Sequence, residues 1–178
     1  YLCEQNTVPG KVTLRFGRRA RRIFATFEES VNYFRKPVSM ITVGNPIRSK
    51  VLATPDRDTA RRMFNLSHCK KVVLLIGGSQ GALALNELIL NLRTRYAADF
   101  SEVGIIWCTG SLSYDKYAKI VRENSAFGSV YISPFIEDMG PAYRAADIAI
   151  SRSGAGVMME MAALELPSVL IPYPHAAA

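Results

Sequence analysis

The chain is expected to adopt an α/β fold, a doubly wound parallel sheet, and three features of its sequence carry that expectation. Short apolar runs recur at Lys70–Ile76, after a basic pair, and at Val103–Cys108, Ser129–Ile132, Asp147–Ile150 and Val169–Ile171. Segments with apolar residues at helical spacing separate them. Several runs end in glycine and small polar residues, as at Gly77–Ala82 and Ser151–Gly156. Strands that are apolar throughout and alternate with helices belong to a parallel sheet covered on both faces.

Taken in order, Tyr1–Asn6 resembles the end of a strand entering a loop, and residues 11 to 20 form a short basic helix. Arg22–Phe27 reads as a strand, and Glu29–Phe34 as a helix with Thr26 or Glu28 as its cap, stopped by Pro37. Val38–Val43 is a strand of β-branched and apolar residues. Gly44–Arg48 is a turn fixed by Pro46, and the polar stretch to Asp58 is a connection. A domain boundary is placed here, with residues 1 to 43 on one side and 44 to 178 on the other. In the second part Leu83–Tyr96 is a helix with Leu85, Leu88, Ile89 and Leu92 on one side. Ser113–Glu123 is another, with Tyr117, Ile120 and Val121 facing inward, and Pro141–Ala146 is a helical turn. Both ends read as cut, because no Met opens the chain and His175–Ala178 stops just after a strand-like run.

Composition narrows the partners. In 178 residues, Lys and Arg outnumber Asp and Glu by 22 to 15, a formal net charge of +7 that favours anionic partners. Lys11, Arg15, Arg18, Arg19, Arg21 and Arg22 form a cluster, read either as a solvated basic face or as a surface for anionic membrane. Aromatic residues do not interleave with it as a stacking platform for nucleic acid would require. Cys3, Cys69 and Cys108 have no metal-like spacing and are expected as free thiols. No stretch approaches the roughly 18 apolar residues that span a bilayer, and no leader opens the chain, so the expected location is cytoplasmic or peripheral to a membrane.

Ligands of a doubly wound sheet bind outside the carboxyl ends of its strands. Gly77–Ala82 lets backbone approach a ligand closely and places Ser79 where a helix N-terminus holds a phosphate, although a tight strand-to-helix turn explains the same glycines. The spacing is not a dinucleotide fingerprint, no acid ends the next strand at Trp107–Gly110, and the Gly-Lys-Ser/Thr of a P-loop is absent. Ser151–Gly156, at the mouth of the last helix, offers an anion cradle. Glu160 follows, among Val157, Met158, Met159, Met161 and Ala162; a carboxylate there needs donors, either sugar hydroxyls or the N-terminus of its own helix. Pro134–Asp138 offers backbone to the edge of a base with Phe135 as an apolar wall, or else packs as a loop. His68 and His175 have no partners in sequence that would make a metal or catalytic set.

Several motifs, in order, resemble the MurG family of peptidoglycan glycosyltransferases. They are Glu4-Gln-Asn6 with Val8-Pro-Gly10, Gly44-Asn-Pro-Ile-Arg48, Gly77–Ala82, Pro134–Met139, Ser151–Ala155 with Glu160, and Leu166–Pro172. The resemblance implies a glycosyltransferase B architecture of two Rossmann-like domains, here incomplete at both ends. Residues 1 to 43 would be the tail of the acceptor domain and 44 to 178 most of the UDP-sugar domain. It implies transfer of N-acetylglucosamine from UDP-N-acetylglucosamine to undecaprenyl-pyrophosphoryl-N-acetylmuramoyl-pentapeptide (lipid I), with inversion, giving lipid II at the cytoplasmic face of the bacterial inner membrane. No metal or cofactor is implied.

By the same resemblance Ile136 meets uracil through its backbone, and Glu160 accepts the ribose hydroxyls. Ser79 meets the diphosphate with the amides of Ala155, Gly156, Val157, Met158 and Met159. Arg48 closes over the nucleotide, and Asn6 faces the transferred sugar. The general base would belong to the part of the acceptor domain outside this chain, leaving the chain alone inactive. Three residues depart from the family's pattern: Cys3 stands for a common histidine, Val157 for threonine and Glu165 for glycine. The glutamine-bearing motif would follow Ala178. Another UDP-sugar transferase acting on a lipid, or a non-catalytic nucleotide-binding module, would share much of this pattern.

Overall fold

The computed structural model describes residues 1 to 77 and 82 to 173, and among these the chain divides into two compact units. The first comprises Tyr1–Ile47 with Gly154–Met159, the second Arg48–Ser153 with residues 160 to 173.

The first unit carries a parallel three-stranded sheet, β1 (Leu2–Glu4), β2 (Ile23–Ala25) and β3 (Met40–Thr42), in the order β1-β2-β3. Leu2 is in register with Ile23, and Ile23 with Met40. Crossovers between parallel neighbours must return to the starting end. The first does so through helix α1 (Lys11–Phe16), which tightens into a 3-10 turn at Gly17–Arg19. A Cβ on Gly17 would lie 2.6 Å from the Phe34 ring, which explains glycine at this position. The second crossover, expected as a helix capped by Thr26 or Glu28, is a 3-10 helix over Glu28–Tyr33. Its cap position is Phe27, whose side chain accepts no hydrogen bond, so neither expected cap is used.

The second unit is a five-stranded parallel sheet. Its strands are β4 (Lys71–Ile76), β5 (Val103–Cys108), β6 (Val130–Ser133), β7 (Ile148–Arg152) and β8 (Ser168–Ile171), in the order β6-β5-β4-β7-β8. Helices α4 (Leu83–Arg95), α5 (Tyr114–Glu123), α6 (Met139–Ala145) and α7 (Ala155–Ala163) alternate with them. Leu75, Ile105 and Trp107 of the sheet pack with Leu85, Ile89 and Tyr117 of the helices in one buried cluster. Leu88, expected on the same face of α4, is 36% exposed. Asn86 takes an inward place: fully buried, it accepts from Trp107 Nε1 at 2.8 Å and donates to the Thr109 carbonyl at 2.9 Å. An amide inside an apolar cluster is tolerable because these bonds satisfy it.

Helix α2 (Ser49–Leu52) stands inside the stretch to Asp58 that was expected as a connection, and α3 (Arg57–Met63) begins at its end and runs beyond it. Asp56 caps α3 by accepting from the Thr59 amide at 2.9 Å and the Thr59 hydroxyl at 2.6 Å. Gly140 of α6 lies against α2: a Cβ there would be 2.8 Å from Thr54 Cγ2 and 3.1 Å from the Lys50 carbonyl oxygen.

The end of α7 shows why a glycine fits position 165. Leu166 N–H bonds the Met161 carbonyl at 3.0 Å and Glu165 N–H bonds the Ala162 carbonyl at 3.1 Å. That pair of bonds closes a helix with a left-handed residue, the place that glycine fills at least cost. Here Glu165 occupies it, at φ +54°.

Candidate functional site

The strand order locates the ligand crevice. From β4 the sheet winds one way through β5 and β6 and the other way through β7 and β8, so the topological switch point lies between β4 and β7. Ligands of such sheets bind beyond the carboxyl ends of the strands at that point. Ser79, expected at the diphosphate, follows β4 and lies outside the described residues, as does His175.

After β7 the expected anion cradle resolves into parts with different duties. Ser151 belongs to the strand, is 1% exposed, and its hydroxyl donates to the Arg152 carbonyl at 3.0 Å. Ser153 and Gly154 form the exposed joint before α7. Met158 N–H donates to the Gly154 carbonyl at 3.0 Å, and the helix claims the Met159 amide in the same way. Ala155, Gly156 and Val157 occupy the first turn, whose amides have no intrahelical acceptor. Of the five amides expected at the diphosphate, these three are placed to donate outside the helix.

Glu160, the sixth residue of α7, is 8% exposed. Its oxygens do not turn to the N-terminus of their own helix. Arg48 Nε donates to Oε1 at 2.8 Å and Arg48 Nη2 to Oε2 at 3.1 Å, a bidentate pair, while the Tyr143 hydroxyl of α6 donates to Oε2 at 2.9 Å. The hydrogen bond to Glu160 raises the Arg48 pKa further, so this guanidinium is always charged. Burial, followed by the Glu160 charge and hydrogen bond, pushes the Tyr143 phenol well above its ordinary range, so it stays protonated and donates. Two residues expected on the nucleotide, Arg48 and Glu160, are thus brought together and bonded to each other.

Tyr143 was missed by sequence reasoning. A signal existed: α6 buries Met139, Gly140, Pro141, Ala142 and Ala145, and a phenol in so apolar a turn needs an acceptor.

Ile136 is 9% exposed, beside Phe135, which is 57% exposed. The Ser133 hydroxyl donates to the Phe135 carbonyl at 2.8 Å and fixes this loop after β6. Burial pushes the Cys108 thiol up against the pull of the Ile136 and Gly110 backbone groups. All three cysteines are free thiols, and among the described residues no cluster of His, Cys, Asp and Glu could hold a metal ion.

In the first unit Asn6 is held by Glu4, a buried carboxylate that accepts from the Asn6 amide at 3.0 Å, from Asn6 Nδ2 at 3.2 Å and from the Gly10 amide at 2.9 Å. Burial pushes the Glu4 carboxyl up, but these donors and Thr13 bring it below the usual carboxylate range. Ser30 Oγ donates to the Asn6 carbonyl at 3.1 Å from the far side of the loop.

A cleft of about 620 Å³ opens elsewhere, beside Asp147 at the amino end of β7, lined by Thr54, Arg57, Arg144 and Glu165 among others. Asp147 is committed there to Arg57, Arg61 and the Val72 amide, which marks a structural joint.

Comparison with known proteins agrees with this topology. The glycosyltransferase family 28 C-terminal domain matches residues 72 to 178. Among curated relatives, UDP-N-acetylglucosamine–N-acetylmuramyl-(pentapeptide) pyrophosphoryl-undecaprenol N-acetylglucosamine transferases are similar along nearly the whole chain. That of Chlorobium luteolum is 38% identical over 97% of this chain and 45% of its own length. That of Desulforamulus reducens is 34% identical over 97% and 47%. The crystal structure of Acinetobacter baumannii MurG superposes with a TM-score of 0.65 at 28% identity, over 99% of this chain and 46% of that one. The chain thus spans about half the length of the relatives it matches. Its α/β sheets are Rossmann-like, of glycosyltransferase B type, and the chain belongs to glycosyltransferase family 28.

Proposed function

We propose that this chain holds the donor of an inverting, metal-independent hexosyltransferase that moves N-acetylglucosamine from UDP-N-acetylglucosamine to lipid I, forming lipid II. The observation that carries the reading is the nearly buried carboxylate of Glu160, on the helix that opens from the switch point of a family 28 sheet. Vicinal ribose hydroxyls are suitable donors to such a carboxylate. The first-turn amides of Ala155, Gly156 and Val157, with Ser79 and Arg48, meet the diphosphate. There they stabilise the charge that grows as UDP leaves. Ile136 offers backbone to uracil, and Asn6, fixed by Glu4, faces the sugar. Residues 1 to 43 are the tail of the acceptor domain and 44 to 178 the donor domain. The general base is assigned outside this chain, which alone binds donor without turning it over.

Among the described residues no helix is long and apolar enough to cross a membrane. On α1, Val12 and Phe16 are 64% and 43% exposed beside exposed Lys11, Arg15, Arg18 and Arg19. This mixture suits peripheral attachment to an anionic leaflet, the cytoplasmic face of the bacterial inner membrane where a lipid-linked acceptor resides.

Titrating UDP-N-acetylglucosamine into the chain and into its Glu160→Ala variant tests the donor site. Saturable binding weakened at least tenfold by the substitution is expected; equal affinity in both removes Glu160 from the ribose.

A further inference from the structure

The two donors that meet Glu160 differ in kind. Arg48 reaches it from a side chain that is 57% exposed, at the start of the four-residue helix α2. Tyr143 reaches it from inside α6, is 2% exposed, and shares Oε2 with Arg48. A carboxylate accepts about four hydrogen bonds, and the described residues already donate three here. Two ribose hydroxyls therefore cannot be added without displacing a donor. The exposed, flexible arginine is the one that can leave, whereas a buried phenol has no alternative acceptor to move to without cost.

We propose that Tyr143 is a positioning residue for nucleotide recognition. Its buried hydroxyl holds the Glu160 carboxylate in a single orientation, so that the positions occupied by the Arg48 guanidinium fit the vicinal diol of a ribonucleotide. This rests on the reading of Glu160 as the ribose acceptor. The guanidinium offers Nε–H and Nη2–H side by side to two carboxylate oxygens, and a cis-diol offers two hydroxyls in the same bidentate way. The carboxylate stays ready only if something other than Arg48 keeps its plane fixed. Among the described residues Tyr143 is the donor that remains, and its packing sets its own orientation: Ala142 and Ala145 beside it are fully buried.

The test compares UDP with 2′-deoxy-UDP by calorimetry, on the chain and on its Tyr143→Phe variant, which keeps the ring and removes one donor. The unsubstituted chain should prefer UDP, and Tyr143→Phe should weaken UDP binding about tenfold while changing 2′-deoxy-UDP less, so that the preference shrinks. In a Glu160→Ala background the same Phe substitution should cost no further affinity. A Tyr143→Phe variant that retains the full preference for UDP overturns the proposal. So does an equal further loss in the Glu160→Ala background, which would mark Tyr143 as packing alone. If the unsubstituted chain binds UDP and 2′-deoxy-UDP equally, it is the ribose reading of Glu160 that falls.

Discussion

Arg61 Nη2 donates to Asp147 Oδ2 at 2.7 Å, and the same oxygen accepts the Val72 amide at 2.7 Å. One carboxylate therefore joins α3, the start of β7 and β4. Arg61 also reaches the carbonyls of Ala145 at 3.2 Å and Cys69 at 3.1 Å. Removing the acid leaves a guanidinium only 12% exposed with its charge unmatched. Asp147→Ala is expected to lower stability by about 2–4 kcal/mol in urea titration. Arg57→Ala should cost under about 1 kcal/mol, because Arg57 is 47% exposed.

The same contact predicts the acid limb of the stability profile. Burial acts to raise the Asp147 pKa, but the Val72 amide and the guanidinium groups of Arg57 and Arg61 bring it below the ordinary 3.8. A depressed carboxylate contributes stability that is complete above its unfolded pKa and lost as pH falls through the folded one. Unfolding free energy should therefore decline below about pH 4, and the decline should be shallower in Asp147→Asn, measured by denaturant titration from pH 6 down to 3. An equally steep decline in the variant would remove Asp147 as its source.

Glu165→Gly should stabilise the chain. A residue with a side chain in the left-handed region costs about 1–2 kcal/mol, and glycine recovers most of it at a small cost in unfolded-chain entropy. A gain of about 0.5–1 kcal/mol in urea melts, with UDP affinity unchanged, is expected. Glu165→Ala should recover little, because alanine retains the Cβ.

Gly140→Ala should act in the opposite sense. The added methyl meets the Lys50 carbonyl oxygen, backbone that cannot rotate away, as well as Thr54 Cγ2. A loss of about 1–3 kcal/mol is expected in thermal or urea melts. Because α6 carries Tyr143, UDP affinity should fall as well.

The basic, partly apolar face of α1 is checked by co-sedimentation with vesicles. Pelleting should rise with the fraction of anionic lipid and fall with salt, and replacing Arg15, Arg18 and Arg19 by Gln should abolish the dependence. Pelleting indifferent to lipid charge would rule out this role for α1.

What was legible in the sequence follows from which forces act locally. The runs Lys71–Ile76 and Val103–Cys108 are buried over most of their length on both faces of the sheet, so their apolar character states their place, whereas Ile148–Arg152 buries only Ala149 and Ser151. The helices at Ser49–Leu52 and Arg57–Met63 escaped because they are too short to show a helical period and gain their order from packing against α6. Only the Asp56–Thr59 cap and the closing pair Arg61-Arg62 announce the second of them. Arg48 and Glu160 were each recognised by motif, but 112 residues separate them, and no local pattern says that one bonds to the other. Thr26 and Glu28 were expected to cap a helix, and the turn that formed begins instead at Phe27, which has no acceptor to offer.

The strand order of the larger unit also bears on how it can be made. β4 is central, hydrogen-bonded to β5 on one side and β7 on the other, yet the registered partners Val73 and Ile148 lie 75 positions apart in the chain (148 minus 73), so one edge must wait. During synthesis that edge, Val72-Val-Leu-Leu-Ile76, stays open until β7 emerges from the ribosome, and it is the most apolar stretch of the five strands. An unpaired, uncharged β-run of this kind is where a nascent chain is captured by another copy of itself. Lys70 and Lys71, exposed at its start, put two positive charges where two such edges would meet, and so act as gatekeepers of a chain still being made.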